Sequence, residues 1–454
     1  MKRKPAAPTA VPPPPTPTEL DGLAPALAVA YLALALATIP YGKPPATWYT
    51  WLTAATGLAC VSAAFLDPQG RRRQLTFWPI PVILGAWGLS IMGCQFPAVS
   101  FERSIGMGLY SLVFIAAQVV TWSRRTRDYL MLTVFLVVGA CALDITWQRL
   151  TGHALYSDAR QTIYSGSSWG RNMLKGSQGN LNDFAAVSIL MPLASSLVPG
   201  ALGALVYVCF AFVASTTWLF SESRQVLLGW LIGLLGPVGA RLPRKWAIAI
   251  ALLTLLMLAG AVFALTPLRK RFLTMWDNPL GSRGPVFVYG LDLFTRSPVF
   301  GTGPGLFGHY YVVGVREGWS FRGQTLPPSG MPWVHSIPIE ILCETGLASV
   351  AAYAAAAFAA VGRLWGGLRR ATQDREWLIA LTTSVACFGV MSLVDMSFIK
   401  DWVRIVFWLL LGLCFASKQP RSTAEAMTST TPEAQSPITK KRSGPKRREA
   451  YKPG

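Results

Sequence analysis

Apolar runs close to 20 residues long recur along most of this chain, separated by short polar stretches. A helix needs roughly 20 apolar residues to cross a bilayer. Segments of that kind fall at about 22–40, 47–66, 77–95, 104–122, 128–147, 181–199, 201–220, 225–240, 245–265, 334–361, 376–397 and 402–417. The expected fold class is therefore an all-α integral membrane protein with about 12 transmembrane helices. The weakest segments are the pair meeting at Pro199-Gly200 and the short eighth one. Two long interruptions, 148–180 and 266–334, are the places where function is expected to concentrate. The second holds an amphipathic pattern from Pro285 to Phe294, stopped by Ser297-Pro298. It is expected to form a large, partly helical loop over one mouth of the helix bundle.

Composition agrees with the pattern. The chain is 52% hydrophobic and 14% charged, with mean hydropathy +0.40, so a soluble fold has too little polar surface to cover it. The formal net charge of +20 changes the picture through its distribution. With the N-terminus placed in the cytoplasm, about 25 Lys/Arg fall in or beside inside segments and about 16 outside. DPQGRRRQ, SRRTR, RLPRK and GRLWGGLRRATQDRE would all be cytoplasmic loops, and an even number of spans returns the C-terminus to the same side. The charge is thus read as a topology signal that meets anionic lipid headgroups rather than nucleic acid. The domain plan is a proline-rich cytoplasmic tail at 1–21, a polytopic domain at 22–417 and a basic tail at 418–454, both tails read as disordered. The seven cysteines lie in or beside apolar segments without zinc-type spacing, so they read as small buried residues.

This topology collects three candidate residues at the outer surface: Arg224 in the short SESR turn, Arg283 in the large loop, and His335 at the start of the tenth segment. Taken singly, an arginine at a helix end ordinarily snorkels to headgroups, and a lone interfacial histidine is ordinarily a satisfied structural residue. Ionisable groups at a membrane boundary also mark function. Arg269, Lys270 and Arg271 form a cluster suited to phosphate, on lipid or on substrate. Trp276, Tyr310, Tyr311, Trp319, Phe321 and Trp333 offer rings that either stack on sugars or form an interfacial belt. GTGPGLFG lacks the Gly-Lys-Ser/Thr of a nucleotide loop and is expected to be a tight turn that places the loop helix. No metal-binding motif is present, and neither metal nor cofactor is expected.

SRQVLLGWLIGLLG, GSRGPVFVYGLDLFTRSPVFGTGPGLFG and VHSIPIEILCETGLASV together resemble the O-antigen ligase and polymerase superfamily of bacterial inner-membrane proteins. Arg224 with Leu228 resembles the family's arginine motif, Arg283 its second arginine, and His335 with Gly346 its histidine motif. Ser336 departs from the asparagine common after that histidine. The resemblance covers about residues 180–360 by motif. It implies a GT-C-like, metal-independent glycosyltransferase. The donor would be a glycan on undecaprenyl pyrophosphate at the periplasmic leaflet. The acceptor would be lipid A–core in ligases, another lipid-linked repeat in polymerases, or a protein hydroxyl in a third branch. Arg224 and Arg283 would clamp pyrophosphate, and His335 would act as general base or as a substrate-binding group. Arg316 and Arg322 add to the loop cluster, favouring a phosphorylated lipid A–core acceptor and hence the ligase branch. A transporter of lipid-linked glycans is the alternative from another class.

Overall fold

The computed structural model describes residues 22–41, 47–67, 69–156, 163–164, 171–172, 181–221, 223–264, 283–328, 333–370, 374–394 and 396–416. They form an all-α, membrane-embedded fold. Helices α1 (Leu23–Ala37), α2 (Thr47–Phe65), α3 (Pro79–Gly93), α4 (Pro97–Val119) and α5 (Arg124–Thr151) come first. They are followed by α6 (Ala185–Ala194), α7 (Gly200–Ala214), α8 (Thr216–Ser221), α9 (Arg224–Arg241) and α10 (Arg244–Ala264). The loop region carries α11 (Arg283–Arg296) and α12 (Phe307–Arg316). The chain then runs through α13 (Ile337–Glu340), a π-helical turn Ile341–Thr345, α14 (Gly346–Arg370), α15 (Arg375–Ser392) and α16 (Asp401–Ala416). Strand is confined, among the described residues, to two-residue antiparallel hairpins: Ile163–Tyr164 with Arg171–Asn172, and Ser320–Phe321 with Gln324–Thr325.

Each expected apolar segment contains helix. Four helical stretches among the described residues are long and apolar enough to cross a membrane: Pro97–Trp122, Arg124–Thr151, Gly200–Ser221 and Ile337–Arg370. Their outward faces are apolar too, with Phe358, Leu205 and Leu136 exposed, which suits contact with lipid.

The helix ends follow local chemistry. Pro79 and Pro97 sit in the first turns of α3 and α4, where a missing N–H costs nothing. Gly152 (φ 80°) closes α5 in a left-handed cap, its N–H reaching the Gln148 carbonyl at 2.9 Å. The segment expected at 181–199 is instead a 3₁₀ turn (Leu181–Phe184), a short α6 and a second 3₁₀ turn (Ser195–Leu197). Pro192 inside α6 removes a donor, and Pro199 forbids continuation. The segment expected from 334 begins its helix at Ile337 and reaches Arg370. Five cysteines are buried, but Cys94 is half-buried and Cys209 exposed on α7, a departure from the expected burial.

Polar contacts sort the helix ends into two sets. At one end Arg127 pairs with Asp374 (3.1 Å), Arg241 with Glu376 (3.1 Å), and Arg363 donates to the Phe415 carbonyl (2.7 Å). At the other, Lys400 pairs with Asp183, Arg404 with Asp401 (3.2 Å), and Ser90 donates to the Glu344 carbonyl (2.9 Å). The loop helices pack on this second end around Val286, Tyr289, Leu293, Phe307, Tyr311, Val334 and Cys343.

Candidate functional site

His335 stands in the left-handed region, with φ 64°. Only one other non-glycine residue among those described, Arg322, has a positive φ. The left-handed conformation costs an L-residue about 1–2 kcal/mol, and such positions cluster where function over-determines the backbone. The side chain is held by its neighbour: the Trp333 indole N–H donates to His335 Nδ1 at 3.0 Å. The Trp333 ring in turn lies against the Lys400 ammonium, 4.7 Å from Nζ to the ring centroid. Lys400, at the end of the loop before α16, pairs with Asp183. Asp183 also accepts a hydrogen bond from Trp402 Nε1 at 3.0 Å. A relay of contacts therefore runs from His335 through Trp333 and Lys400 to Asp183.

Asp183 belongs to the 3₁₀ turn Leu181–Phe184, which packs against α8 and α9. Arg224 is the first residue of α9, with Ser223 as its cap: Ser223 Oγ accepts from the Val226 N–H at 3.4 Å. Beside it Gln225 donates to the Met391 carbonyl at the end of α15 (3.0 Å). The backbone at Arg224 thus lies at the end of the fold that holds His335, while the Arg224 side chain lies outside the described residues. Arg283 is the first residue of α11. One turn further, Val286 packs in the same cluster as Val334, next to His335. Both arginines occupy helix N-termini, where peptide N–H groups already favour an anion. Arg269, Lys270 and Arg271 lie outside the described residues, as does Trp276.

The glycine-rich turn is fastened to the chain just after His335. Gly305 N–H donates to Glu344 Oε2 (2.7 Å) and Phe307 N–H to Glu344 Oε1 (2.9 Å). Thr302 and Gly303 N–H groups reach the carbonyls of Cys343 and Glu344, each at 2.8 Å. One turn on, the Leu347 and Ala348 N–H groups reach the Pro298 and Val299 carbonyls at 2.9 and 3.4 Å, so the chain before the glycine turn is fastened to this helix as well. The anion cradled by this turn is a carboxylate of the same chain. Gly301 has φ 70°, and a Cβ there would sit 2.3 Å from the Glu344 carbonyl carbon, so the approach demands glycine. One helical turn before Glu344, buried Glu340 accepts the Phe398 N–H at 2.9 Å through Oε1, while Oε2 has no hydrogen-bond partner among the described residues.

The loop aromatics divide by burial. Tyr311 is buried and donates to the Pro327 carbonyl (2.6 Å), so it belongs to the loop core rather than a sugar-stacking face. Tyr289 donates to the Tyr310 carbonyl (2.6 Å), and burial pushes its phenol up to about 12. Trp319 is held by Asp292 (3.2 Å), and Phe321 stays exposed. Sequence reasoning missed Asp183, Lys400, Glu340 and Glu344. The available signal was a charge at the edge of an apolar segment, the feature that singled out Arg224. No group of three or more His, Cys, Asp or Glu suited to a metal occurs among the described residues. Neither the protein-family models nor the curated proteins compared with the chain match it.

Proposed function

We propose that the protein is a glycosyltransferase of the O-antigen ligase type. It would move a glycan from undecaprenyl pyrophosphate to a sugar hydroxyl of lipid A–core at the periplasmic face of a bacterial inner membrane. About 12 spans would carry it, with both termini in the cytoplasm. The observation that carries the reading is His335: a strained histidine at the end of the bundle where α9 and α11 begin with Arg224 and Arg283. Breaking a sugar–pyrophosphate bond leaves the electron pair on a phosphate oxygen. Arginine suits that charge because its planar fork binds phosphate oxygens bidentately. Fixed cations at a water-poor boundary offset it strongly. The acceptor oxygen attacks the anomeric carbon as the pyrophosphate leaves, which inverts that centre. His335 contributes as general base or as a group that binds the reacting partners.

Purified protein with lipid-linked glycan and lipid A–core in detergent tests this directly. Wild type is expected to consume the donor and extend the acceptor. Arg224→Ala, Arg283→Ala and His335→Ala should each lower the rate by about 10²-fold or more while the protein still inserts. Arg224→Lys should also lose activity, because a point charge lacks the fork. A lipid-linked glycan transporter would leave the donor unchanged in this single-compartment assay. Extension of a second lipid-linked repeat, but not of lipid A–core, would assign the polymerase branch.

A further inference from the structure

Three buried polar atoms gather beneath the end of the bundle that holds the loop helices: Trp87 Nε1 on α3, Glu340 Oε2 on α13 and Tyr353 Oη on α14. None has a hydrogen-bond partner among the described residues. Phe398 brings them together. The Trp87 ring meets it edge-on at 6.5 Å between centroids, and the Tyr353 ring stacks on it at 5.5 Å. Its N–H donates to the other Glu340 oxygen at 2.9 Å. Trp87 and Glu340 both lie near enough to act on the Tyr353 hydroxyl, yet neither reaches hydrogen-bond geometry with it. Folded proteins leave few buried polar atoms unmet, so three in one place call for a shared partner. Their chemistry limits what that partner is. An indole N–H only donates, a carboxylate oxygen accepts, and a phenol does either. A cation would face the indole N–H, and an anion would face the carboxylate. Water meets all three.

We propose that one water molecule is bound inside the bundle, accepting from Trp87 Nε1–H, donating to Glu340 Oε2 and hydrogen-bonded to the Tyr353 hydroxyl. Three hydrogen bonds are typical of a buried water, and such bridges hold nearly as well as direct bonds. The site does not depend on the transferase reading. It joins α3 to the helix that follows His335, and Glu340 passes its effect on in two directions. The Glu340 N–H donates to the Ser336 carbonyl at 2.8 Å, and Glu340 Oε1 holds the Phe398 N–H, two residues before Lys400. With Oε2 fixed by water, Oε1 is kept from swinging away from Phe398. The water thereby helps hold the turn before α16, where Ser397 Oγ accepts the Ile399 N–H at 3.2 Å and Arg404 donates to the Phe398 carbonyl.

Electron cryomicroscopy of the full-length protein in lipid nanodiscs, at a resolution that shows ordered solvent, reads the site directly. A solvent peak within hydrogen-bond reach of all three atoms is expected. Direct contact of Glu340 with Tyr353 or Trp87, with no peak between them, overturns the proposal. The double variant Trp87→Phe with Tyr353→Phe keeps both rings against Phe398 but leaves the carboxylate as the only partner. A buried water needs about two hydrogen bonds or more, so the peak should be lost. A peak that survives there would be held by the carboxylate alone, as a cation is, and overturns water as the occupant. Thermal unfolding of the wild type supplies an arm free of any variant. Lithium, sodium, potassium and choline chlorides at equal ionic strength should give the same Tm. A rise with one small cation alone would put that cation in place of the water. Hydrogen exchange at Phe398, read by mass spectrometry on peptides that cover it, tests the consequence for the turn. In the double variant it should quicken about 10-fold, as Glu340 loses its second anchor. Unchanged exchange alongside a lost peak would overturn the link from the water to the turn before α16.

Discussion

At the scale of single residues, the backbone of His335 can be tested apart from its ring. Neither His335→Ala nor His335→Gly has an imidazole, so both lose the Trp333 hydrogen bond and differ chiefly in tolerance of φ 64°. At an unstrained position alanine is the more stable of the two, because glycine has more unfolded-state entropy to lose. Here the order should reverse, with His335→Gly more stable by about 1 kcal/mol in thermal or denaturant unfolding. Equal stability, or alanine ahead, would mean that the backbone there is not strained. The sequence made His335 conspicuous because histidine is rare in this chain, and Arg224 and Arg283 because charge is costly near apolar segments. It did not reveal Lys400 and Asp183 as partners, because they stand 217 residues apart. Nor could it reveal the role of Trp333. An aromatic residue two positions before a histidine has the same composition whether it stacks on sugar or donates to the ring.

At the scale of elements, the glycine turn and the π-helical turn explain each other. A run of glycines whose N–H groups converge makes an anion cradle whatever the anion is. Glu344 fills it from inside the chain, fastening α12 to the helix that follows His335. Removing the carboxylate strands two donors, and leaving a buried donor unmade costs about 1–3 kcal/mol. Glu344→Ala should therefore speed hydrogen exchange at the Gly305 and Phe307 amides by about 10- to 100-fold. Thr302 and Gly303, bonded to main-chain carbonyls, should change less. Unaltered exchange at Gly305 and Phe307 would show that the carboxylate does not hold the turn. Glu344→Gln keeps one acceptor oxygen and should fall between. Apolar periodicity made the helices legible, and the amphipathic run in the loop became α11. Pro192 was the readable warning of the break in α6, while the π-helical turn was not legible, because hydropathy does not distinguish a wider turn from the α-helix around it. The tight turn expected at GTGPGLFG was readable from its glycines, while its anchor was not.

At the scale of the whole molecule, charge bias along the chain and contact geometry meet in one expectation about sidedness. The end holding Arg127–Asp374 and Arg241–Glu376 joins the short basic loops, and the end holding Asp183–Lys400 joins the loop helices. Basic short loops favour the cytoplasm, so the hairpin at Ser320–Thr325 should face the periplasm. Ser320, Arg369 and Arg72 are exposed and suit single-cysteine labelling, with Cys94 and Cys209 replaced to silence the less buried native thiols. Ser320→Cys should react with a membrane-impermeant maleimide added to cells with a permeabilised outer membrane. Arg369→Cys and Arg72→Cys should react only after the inner membrane is opened. One expected span separates Ser320 from Arg369, and an odd number separates it from Arg72, so the three positions check the crossing pattern as well as its direction. Labelling of Arg369→Cys alongside Ser320→Cys would remove the tenth crossing. A full reversal would put His335 on the cytoplasmic side, away from the leaflet where the proposed donor is presented. The function would then fall with the topology, since a site on the wrong face could not meet a periplasmic acceptor.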